Sequence, residues 1–426
     1  MGNLASDVRD EGSGSTRRSL GFVYVGYAFR YLHLLILVPF YGRVLGAAEY
    51  GHVLAAMSLY QVVWMLSEFG FPPVGARDAA STTDVDRLSK IYGRHVAGRA
   101  MTVLLGAAVG IIGTMASPML SQRPIFGVLA TLNGIVAAFN LGWFFQGTLR
   151  FKTSVMVEVL GFALNVPLVL LFVRGPNDGA KVLLALLLSS VVCTLVAHII
   201  ALKMVNLKAV RCSGGLGLVR ESTALFAHGS LVALMANSST YLISLFSTPT
   251  EVGYYGAAER LVSAGLSLLT PANQVLVGTV ARQISSRDSE DRAYALIRAG
   301  FISLAILGVG MLVGTLALAD FIVPIILGSA FVGSVPVLRL LALMFPFAVI
   351  DQVITGYVLI PLRLDRVVIK VSFQNTLATL LLMFVLGHSF GGMGVAAARV
   401  GGAMLMALSL LYALQSRQLL KRIFST

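Results

Sequence analysis

The fold is decided by the stretch from Arg17 to Gly51, which reads R-R-S-L-G-F-V-Y-V-G-Y-A-F-R-Y-L-H-L-L-I-L-V-P-F-Y-G-R-V-L-G-A-A-E-Y-G. Its apolar part, residues 19–41, is long enough to cross a bilayer, since about 20 helical residues span the hydrocarbon core. Arg30 lies near the middle of that part. A charged side chain at such a depth costs roughly 2.5–3.5 kcal/mol on insertion scales, so it faces protein or a water-filled cavity. We therefore expect this first span to line a polar, cationic cavity.

Tyrosines accompany Arg30 along this predicted helix. Tyr24, Tyr27 and Tyr31 are separated by three and four residues, and this spacing places side chains on one helical face. Arg30 lies beside that face. We predict that Arg30, Tyr27 and Tyr31 contact a substrate.

The composition is that of a membrane protein. The chain has 426 residues, of which 57% are hydrophobic and 12% are charged, whereas about 25% of residues are charged in a typical soluble protein. Counting apolar runs of spanning length predicts an all-α polytopic membrane protein with about twelve transmembrane helices. The stretch 320–334 contains Pro324 and Gly328, which break it as a clean span and predict a partly embedded helix-loop on the outer side.

A short repeat predicts that these helices form two bundles of six around a central cavity. The frame E-x-G-x-x-x-A-A-x-x-L occurs at residues 49–59 and again at residues 251–261, opening the second predicted span of each half. Two parallel halves of this kind bind their substrates between them. The predicted organisation is a disordered cytoplasmic tail (1–18), an N-terminal six-helix bundle (19–205), a basic cytoplasmic linker (206–222), a C-terminal six-helix bundle (223–416) and a cytoplasmic tail (417–426).

The basic residues predict the orientation of the chain. The net charge is +13, but most arginines and lysines lie in segments on one side of the predicted spans rather than in a soluble domain. The loops on the other side carry only Arg43, Arg123, Arg174 and Lys181. The positive-inside rule then places both termini in the cytoplasm. Because the charge is distributed in this way, we expect membrane lipid as a partner and no nucleic acid.

Two further arginines lie inside predicted spans. Arg260 lies in the eighth predicted span, residues 253–281, where Gly253, Gly256 and Ala264 share its face. Small residues permit close helix packing or leave room for a cavity. Arg260 is predicted to bind substrate, with an ion pair to Glu68 or Asp351 as the alternative. Arg399 is a third candidate for substrate binding, although its side chain could instead extend towards the outer surface.

Two carboxylates are candidates for ion coupling or for ion pairs with these arginines. Glu68 lies near the end of the second predicted span, residues 51–72, and Asp351 interrupts the tenth, residues 335–361. Either side chain could carry a coupling proton or Na⁺. No phosphate-binding loop, nucleophile–base pair or metal-ligand spacing is present in the sequence, so we predict no cofactor, no metal and no enzymatic activity.

Several motifs resemble one family. The stretches R-V-L-G-A-A-E-Y-G, S-E-F-G-F, A-R-D, N-L-G-W-F-F-Q-G, V-G-Y-Y-G-A-A-E-R-L and S-V-P-V-L-R-L-L occur in this order between Arg43 and Leu341. They resemble the polysaccharide-biosynthesis flippases of the multidrug/oligosaccharidyl-lipid/polysaccharide exporter superfamily. On physical grounds alone, the aromatic residues of N-L-G-W-F-F-Q-G are typical of a membrane-interface belt.

The resemblance implies a function in a bacterial inner membrane. Such a protein moves an undecaprenyl-pyrophosphate-linked oligosaccharide, used for lipopolysaccharide or exopolysaccharide, from the inner to the outer leaflet. It implies that Arg30 and Arg260 are cavity arginines, and that a polymerase and a chain-length regulator act as partners. Arginine suits a pyrophosphate because guanidinium binds phosphate through paired hydrogen bonds. The alternatives are a drug/cation antiporter of the same fold, a membrane-embedded polysaccharide polymerase, and a purely structural subunit.

Overall fold

The structure, a computed structural model, describes the backbone of residues 4–267 and 290–418. Side chains are described from Ile36 onward, except at 228, 229, 231, 232, 235, 236, 290–294 and 365. All regular secondary structure in these ranges is helical. Seven of the described helices are long and apolar enough to cross a membrane, or eight if one pair bent by 44° is a single span. The predicted all-α membrane class is therefore confirmed.

The chain divides into two compact units. The first comprises Met1–Leu45 and Ala56–Ser230, and the second comprises Gly46–Ala55 and Leu231–Thr426. A ten-residue segment near the end of the first long helix therefore belongs to the second unit. The boundaries expected for the tails, the linker and the bundles stay predictions, although one helix already begins at Gly215 inside the expected linker.

Proline and capping residues mark where several helices of the first unit begin. Pro118 and Pro124 each begin a helix, where the missing N–H group of proline has no cost. Asp84 caps another by accepting a hydrogen bond from the backbone N–H of Asp86. The helices are α1 (Leu4–Glu68), α2 (Phe71–Ala80), α3 (Val85–Ala116), α4 (Pro118–Gln122), α5 (Pro124–Ala138), α6 (Gly142–Gly147), α7 (Phe151–Phe172), α8 (Gly179–Leu202) and α9 (Gly215–Asn237).

The second unit continues from the end of α9. A 3₁₀ turn at Ser329–Phe331 and a π-helical turn at Ile354–Leu359 lie between its α-helices. These helices are α10 (Ser239–Ser244), α11 (Pro249–Ser267), α12 (Glu290–Leu327), α13 (Ser334–Ala342), α14 (Met344–Val353) and α15 (Asp365–Gln415).

Single glycines replace two of the connections expected between spans. The expected spans 19–41 and 51–72 both lie largely in α1, which is interrupted at Gly46 with φ 71°. The expected spans 367–387 and 391–415 both lie in α15, which is interrupted at Gly391 with φ 56°. Glycine adopts positive φ without a Cβ penalty, so one residue can redirect a helix that sequence patterns split into two.

The stretch 320–334 forms a helix followed by a break, as the sequence predicts. Residues 320–327 form the last turns of α12, with Pro324 inside the helix. The helix ends only at Gly328, whose φ is 95°. The break is therefore set by the positive φ of Gly328 rather than by Pro324, and the placement of this segment on the outer side stays a prediction.

Ion pairs attach the first turns of α9 to the rest of the first unit. Glu221 on α9 accepts hydrogen bonds from Arg77 of α2 at 2.5 Å and from Arg94 of α3 at 2.9 Å. Asp78 lies within 3.8 Å of Arg94 and extends the cluster. These residues lie in segments that the positive-inside rule assigns to the cytoplasmic side.

The two copies of the E-x-G frame contact each other within the second unit. A Cβ atom added to Gly51 of α1 would overlap the backbone oxygen of Pro249, and one added to Gly253 of α11 would overlap the backbone oxygen of Ala47. Each glycine thus faces the residue one helical turn before the other glycine. Small residues allow this approach between helix backbones, so the frame encodes a reciprocal helix crossing.

We expect Gly51→Ala and Gly253→Ala each to destabilise the protein. Overpacking costs typically about 1–3 kcal/mol, and here the obstacle is backbone, which cannot rotate away. Thermal unfolding of the purified protein in detergent would show a lowered midpoint for both variants. Gly401→Ala is the matched control: it lies on α15 with nothing within 4 Å of an added Cβ, and helix propensity then favours alanine by up to about 1 kcal/mol. An unchanged midpoint in both frame variants would contradict the crossing.

Candidate functional site

The predicted substrate residues of the first span lie on α1. Tyr27, Arg30 and Tyr31 belong to its helical backbone, but their side chains lie outside the described residues. Because this backbone is helical, Tyr27 and Tyr31 lie on one face of α1, beside Arg30. Their contact with substrate stays a prediction.

Arg260 lies on α11 in the second unit and is half-buried. It interacts electrostatically with Tyr50 of α1, whose side chain is buried at the helix crossing. The preceding residue, Glu259, points away from Arg260 because adjacent helical residues differ by about 100°, and its carboxylate binds another helix.

Arg399 on α15 is the partner of Glu259. Arg399 is 9% exposed, and its Nη1 donates hydrogen bonds to a carboxylate oxygen of Glu259 and, at 2.8 Å, to the hydroxyl of Ser239. The other carboxylate oxygen of Glu259 accepts from the Thr240 hydroxyl at 2.8 Å. This network joins α10, α11 and α15 through a buried charge pair, an arrangement that the sequence offered only as the alternative for Arg260, and with other carboxylates.

Of the two candidate coupling carboxylates, Asp351 lies on α14. It is half-buried and accepts a hydrogen bond of 3.0 Å from the Thr355 hydroxyl. Within the described part of the chain, no group of three or more histidine, cysteine, aspartate or glutamate residues could hold a metal ion. A role of Asp351 in coupling stays a prediction.

Glu68, the other carboxylate, lies at the end of α1 and lines a cavity inside the first unit. The cavity has a volume of about 540 Å³, within the range of about 300–1,000 Å³ typical of small-molecule sites. The segments that frame it are the end of α1, the start of α2, residues 137–146 of α5 and α6, residues 154–165 of α7, and residues 186–197 of α8.

The cavity wall combines aromatic rings, amides and carboxylates. Tyr60 and Trp64 stack on each other with centroids 6.4 Å apart and an interplanar angle of 10°. Gln146 is exposed into the cavity, and Glu158 supplies a second carboxylate. The described lining contains neither arginine nor lysine.

The motif N-L-G-W-F-F-Q-G forms part of this wall, which corrects the interface-belt interpretation. Trp143, Phe144 and Phe145 are each at most 3% exposed, whereas belt residues contact the lipid interface. α6 turns its aromatic residues inward because it is a short helix packed on α2, where the Cβ atom of Ala79 leaves no room for a side chain at Gly147.

Arg99 is a buried cation that sequence reasoning missed. It lies on α3 among the basic residues that the positive-inside rule assigns to the cytoplasmic side, but it is 2% exposed. Its guanidinium lies 5.5 Å from the centre of the Trp143 ring and 5.6 Å from that of Phe71, and its Nε donates to the Ala138 carbonyl at 2.6 Å. It also interacts electrostatically with Glu68.

Arg99 therefore supports the cavity wall from behind. A cation over an aromatic face contributes about 2 kcal/mol or more when desolvated. A signal for the burial of Arg99, though not for its contact with Trp143, exists in the sequence. Tyr92, His95, Arg99, Thr102 and Gly106 are spaced by three and four residues, and all five are buried. Such spacing marks one buried helix face.

This helical body with a polar cavity is that of a multi-pass membrane transporter, and comparison with known proteins supports the class. The fold matches "Lipid II flippase MurJ, inward closed conformation" with a TM-score of 0.70 at 13% identity, covering 93% of this chain and 87% of that one. It matches an inward-facing multidrug resistance MATE family transporter of the MOP superfamily with a TM-score of 0.68 at 16% identity, covering 92% and 96%. The predicted fold class of about twelve membrane helices is therefore confirmed.

The chain belongs to the polysaccharide biosynthesis protein family, which matches residues 17–284. Two relatives are each described as a "Putative O-antigen transporter". The one from Escherichia coli (strain K12) is 24% identical over 395 residues, covering 90% of this chain and 92% of its own length. The one from Shigella dysenteriae is 20% identical over 386 residues, covering 89% and 95%. The predicted family and the prediction of a transporter rather than an enzyme are thus confirmed.

Proposed function

We propose that this protein moves a lipid-linked oligosaccharide, carried on undecaprenyl pyrophosphate, from the cytoplasmic to the outer leaflet of a bacterial inner membrane by alternating access. The observation that carries the proposal is family membership together with full-length similarity to proteins described as O-antigen transporters. Both termini then lie in the cytoplasm, as the distribution of basic residues favours.

In this proposal, Arg30 and Arg260 bind the pyrophosphate. A phosphate group loses its hydration when it enters the membrane, and guanidinium groups replace that water with charge-assisted hydrogen bonds. Tyr27 and Tyr31 supply further polar contacts beside Arg30. The prenyl chain stays in the lipid, so no free energy is spent on transferring it to another environment.

Arg399 has a structural role in this scheme. Its Nη1 is already bound to Glu259 and Ser239, and releasing a buried carboxylate would leave an uncompensated charge. Glu68 and Asp351 are the candidates for carrying a coupling proton or Na⁺.

The test is the leaflet that holds the precursor when the gene is deleted. Lipid-linked precursor would be labelled metabolically, and the outer leaflet probed with a membrane-impermeant glycosidase. We expect precursor to accumulate on the cytoplasmic side and the wild-type gene to restore export. Complementation by Arg30→Ala, expressed at the wild-type level, is expected to fail. Precursor that reaches the outer leaflet normally in the deletion strain would refute the proposal.

A drug/cation antiporter is the second candidate, and one observation favours it. The cavity of the first unit carries Glu68 and Glu158 and has no basic residue in its described lining, so a cationic ligand is electrostatically acceptable there. An antiporter would be recognised by loss of resistance to a cationic drug on deletion, with the distribution of lipid-linked precursor unchanged.

A further inference from the structure

A basic surface of the first unit lies outside its cavity, where the segment between α8 and α9 covers the start of α3. We propose that this surface docks onto the anionic phospholipid headgroups of the leaflet that the positive-inside rule assigns to the cytoplasm. Its occupancy does not depend on which substrate the protein moves. The surface, which we name the basic shelf, consists of Arg87, Lys90, Lys203, Lys208 and Arg211.

Hydrogen bonds and a close backbone contact hold the segment between α8 and α9 on α3. The backbone N–H of Asn206 donates to the Ser89 hydroxyl at 2.8 Å, and the Asn206 side chain donates to the Asp86 carboxylate at 2.8 Å. A Cβ atom added to Gly93 would overlap the backbone oxygen of Arg211. The three contacted residues of α3 are spaced by three and four positions, so the segment follows one face of that helix.

The same segment has a buried side and an outer side. Val205 is buried in the apolar core of the first unit, and Met204 and Val210 pack against the same cluster. Leu207, in contrast, is 66% exposed. The backbone positions of the basic residues on the outer side are therefore fixed by packing on the inner side.

The five cations of the shelf are available to an external anion. All five side chains are exposed, and none forms an ion pair or a side-chain hydrogen bond within the described part of the chain. Two neighbouring carboxylates are bound by other residues. Asp86 is bound by Asn206, and Glu221 accepts hydrogen bonds from Arg77 and Arg94. An excess of positive charge therefore remains on this surface.

The shelf begins where α8 leaves the membrane. α8 is long and apolar enough to be a span, and its last residue, Leu202, is 38% exposed. Lys203 follows directly, and one helical residue advances the chain by only about 1.5 Å. This part of the shelf is therefore at the depth of the headgroups, where long basic side chains reach phosphate while their alkyl parts stay on apolar surface.

The exposed leucine distinguishes a phospholipid surface from other anionic partners. Leu207 lies between Lys203 and Lys208, and segments that combine basic and apolar side chains in this way lie in the boundary between headgroups and acyl chains. The phosphates of a nucleic acid would leave Leu207 in water. An acidic protein would have to displace the lipid beside the end of α8.

The chain provides a labelling site within this surface. It has two cysteines, of which Cys212 is exposed and follows Arg211, whereas Cys193 is buried. A methanethiosulfonate spin label therefore reacts with Cys212, and Cys212→Ser is the labelling control. The full-length protein would be placed in nanodiscs of phosphatidylcholine, or of phosphatidylcholine and phosphatidylglycerol in equal parts. Collisions of the label with a neutral nickel chelate, relative to oxygen, measure its depth.

We expect nickel accessibility to be about twofold lower with phosphatidylglycerol than without it, because anionic lipid attracts basic segments to the bilayer surface. Salt at 1 M should remove this difference, since the Debye length falls from about 10 Å at 0.1 M to about 3 Å. The salt titration uses the wild-type protein, so its result does not depend on the folding of any variant.

Two charge-matched variants locate the effect. The shelf variant should lose the difference between the two lipid compositions, and it carries Lys203→Gln, Lys208→Gln and Arg211→Gln. The control variant should keep the difference, and it removes the same charge from exposed positions of the second unit through Arg363→Gln, Arg366→Gln and Lys370→Gln. Leu207→Ser, which leaves the charge unchanged, should reduce the difference without removing it.

Three outcomes would overturn the proposal. The first is equal nickel accessibility in the two lipid compositions, and the second is an equal loss of the difference in the shelf and control variants. The third is a difference that soluble glycerol phosphate abolishes in the wild type, because the shelf would then bind free phosphate groups rather than a bilayer surface.

Discussion

Cells that carry Arg260→Ala in place of the wild-type protein will export lipid-linked saccharide at least tenfold more slowly. Arg260 is a half-buried cation on α11, and the proposed function places the pyrophosphate on its guanidinium. A hydrogen bond to a charged group contributes about 1.5–3 kcal/mol, and each 1.4 kcal/mol corresponds to about a tenfold change in affinity. Pulse labelling of the precursor, with an outer-leaflet glycosidase as the probe, measures the rate.

Two further variants make this result specific. Arg260→Lys keeps the charge but loses the paired hydrogen bonds of guanidinium, so we expect an intermediate rate. Arg339→Ala removes another arginine of the second unit, one that is 41% exposed and bound to Asp320 at 2.6 Å, and we expect normal export. If the export rate of Arg260→Ala equalled that of Arg339→Ala at equal protein levels, Arg260 would have no part in binding the pyrophosphate.

The class of the fold is predictable from this sequence because hydrophobic run length is a strong signal. Backbone N–H and C=O groups in lipid must form their hydrogen bonds within the protein. A run of about 20 apolar residues therefore has few alternatives to a membrane-spanning helix. The connections are harder to predict, since Gly46 and Gly391 each redirect a continuous helix through a single positive φ. Nothing in the sequence distinguishes these two glycines from the many glycines that only allow close helix packing.

The candidate site is harder to predict than the connections, because its composition depends on which face of each helix is turned inward. Arg99 and Trp143 lie near the ends of apolar runs, where snorkelling cations and interfacial aromatic residues are common. Their contact, at 5.5 Å between guanidinium and ring centre, joins residues of α3 and α6. Such a pairing follows from the packing of α3, α5 and α6, and no local spacing encodes it.

The second large effect is expected at the buried ion pair of the second unit. Glu259→Gln and Arg399→Met should each destabilise the protein by about 3–5 kcal/mol, because removing one partner leaves the other as an uncompensated buried charge. Thermal unfolding in detergent, and the amount of folded protein recovered from membranes, would measure the loss. A destabilisation below 1 kcal/mol in both variants would contradict a buried pair.

The paired replacement Arg399→Met with Glu259→Leu should recover much of this stability. Apolar residues of similar size often replace a buried ion pair without loss, although Ser239 and Thr240 would lose their partners at about 1–3 kcal/mol each if left unsatisfied. A folded double variant permits a transport measurement that the single variants do not. We expect it to export at the wild-type rate, because the proposal places the pyrophosphate on Arg30 and Arg260. Stable protein with precursor trapped inside would instead make Arg399 the substrate-binding residue that the sequence predicts, with Glu259 holding it when substrate is absent.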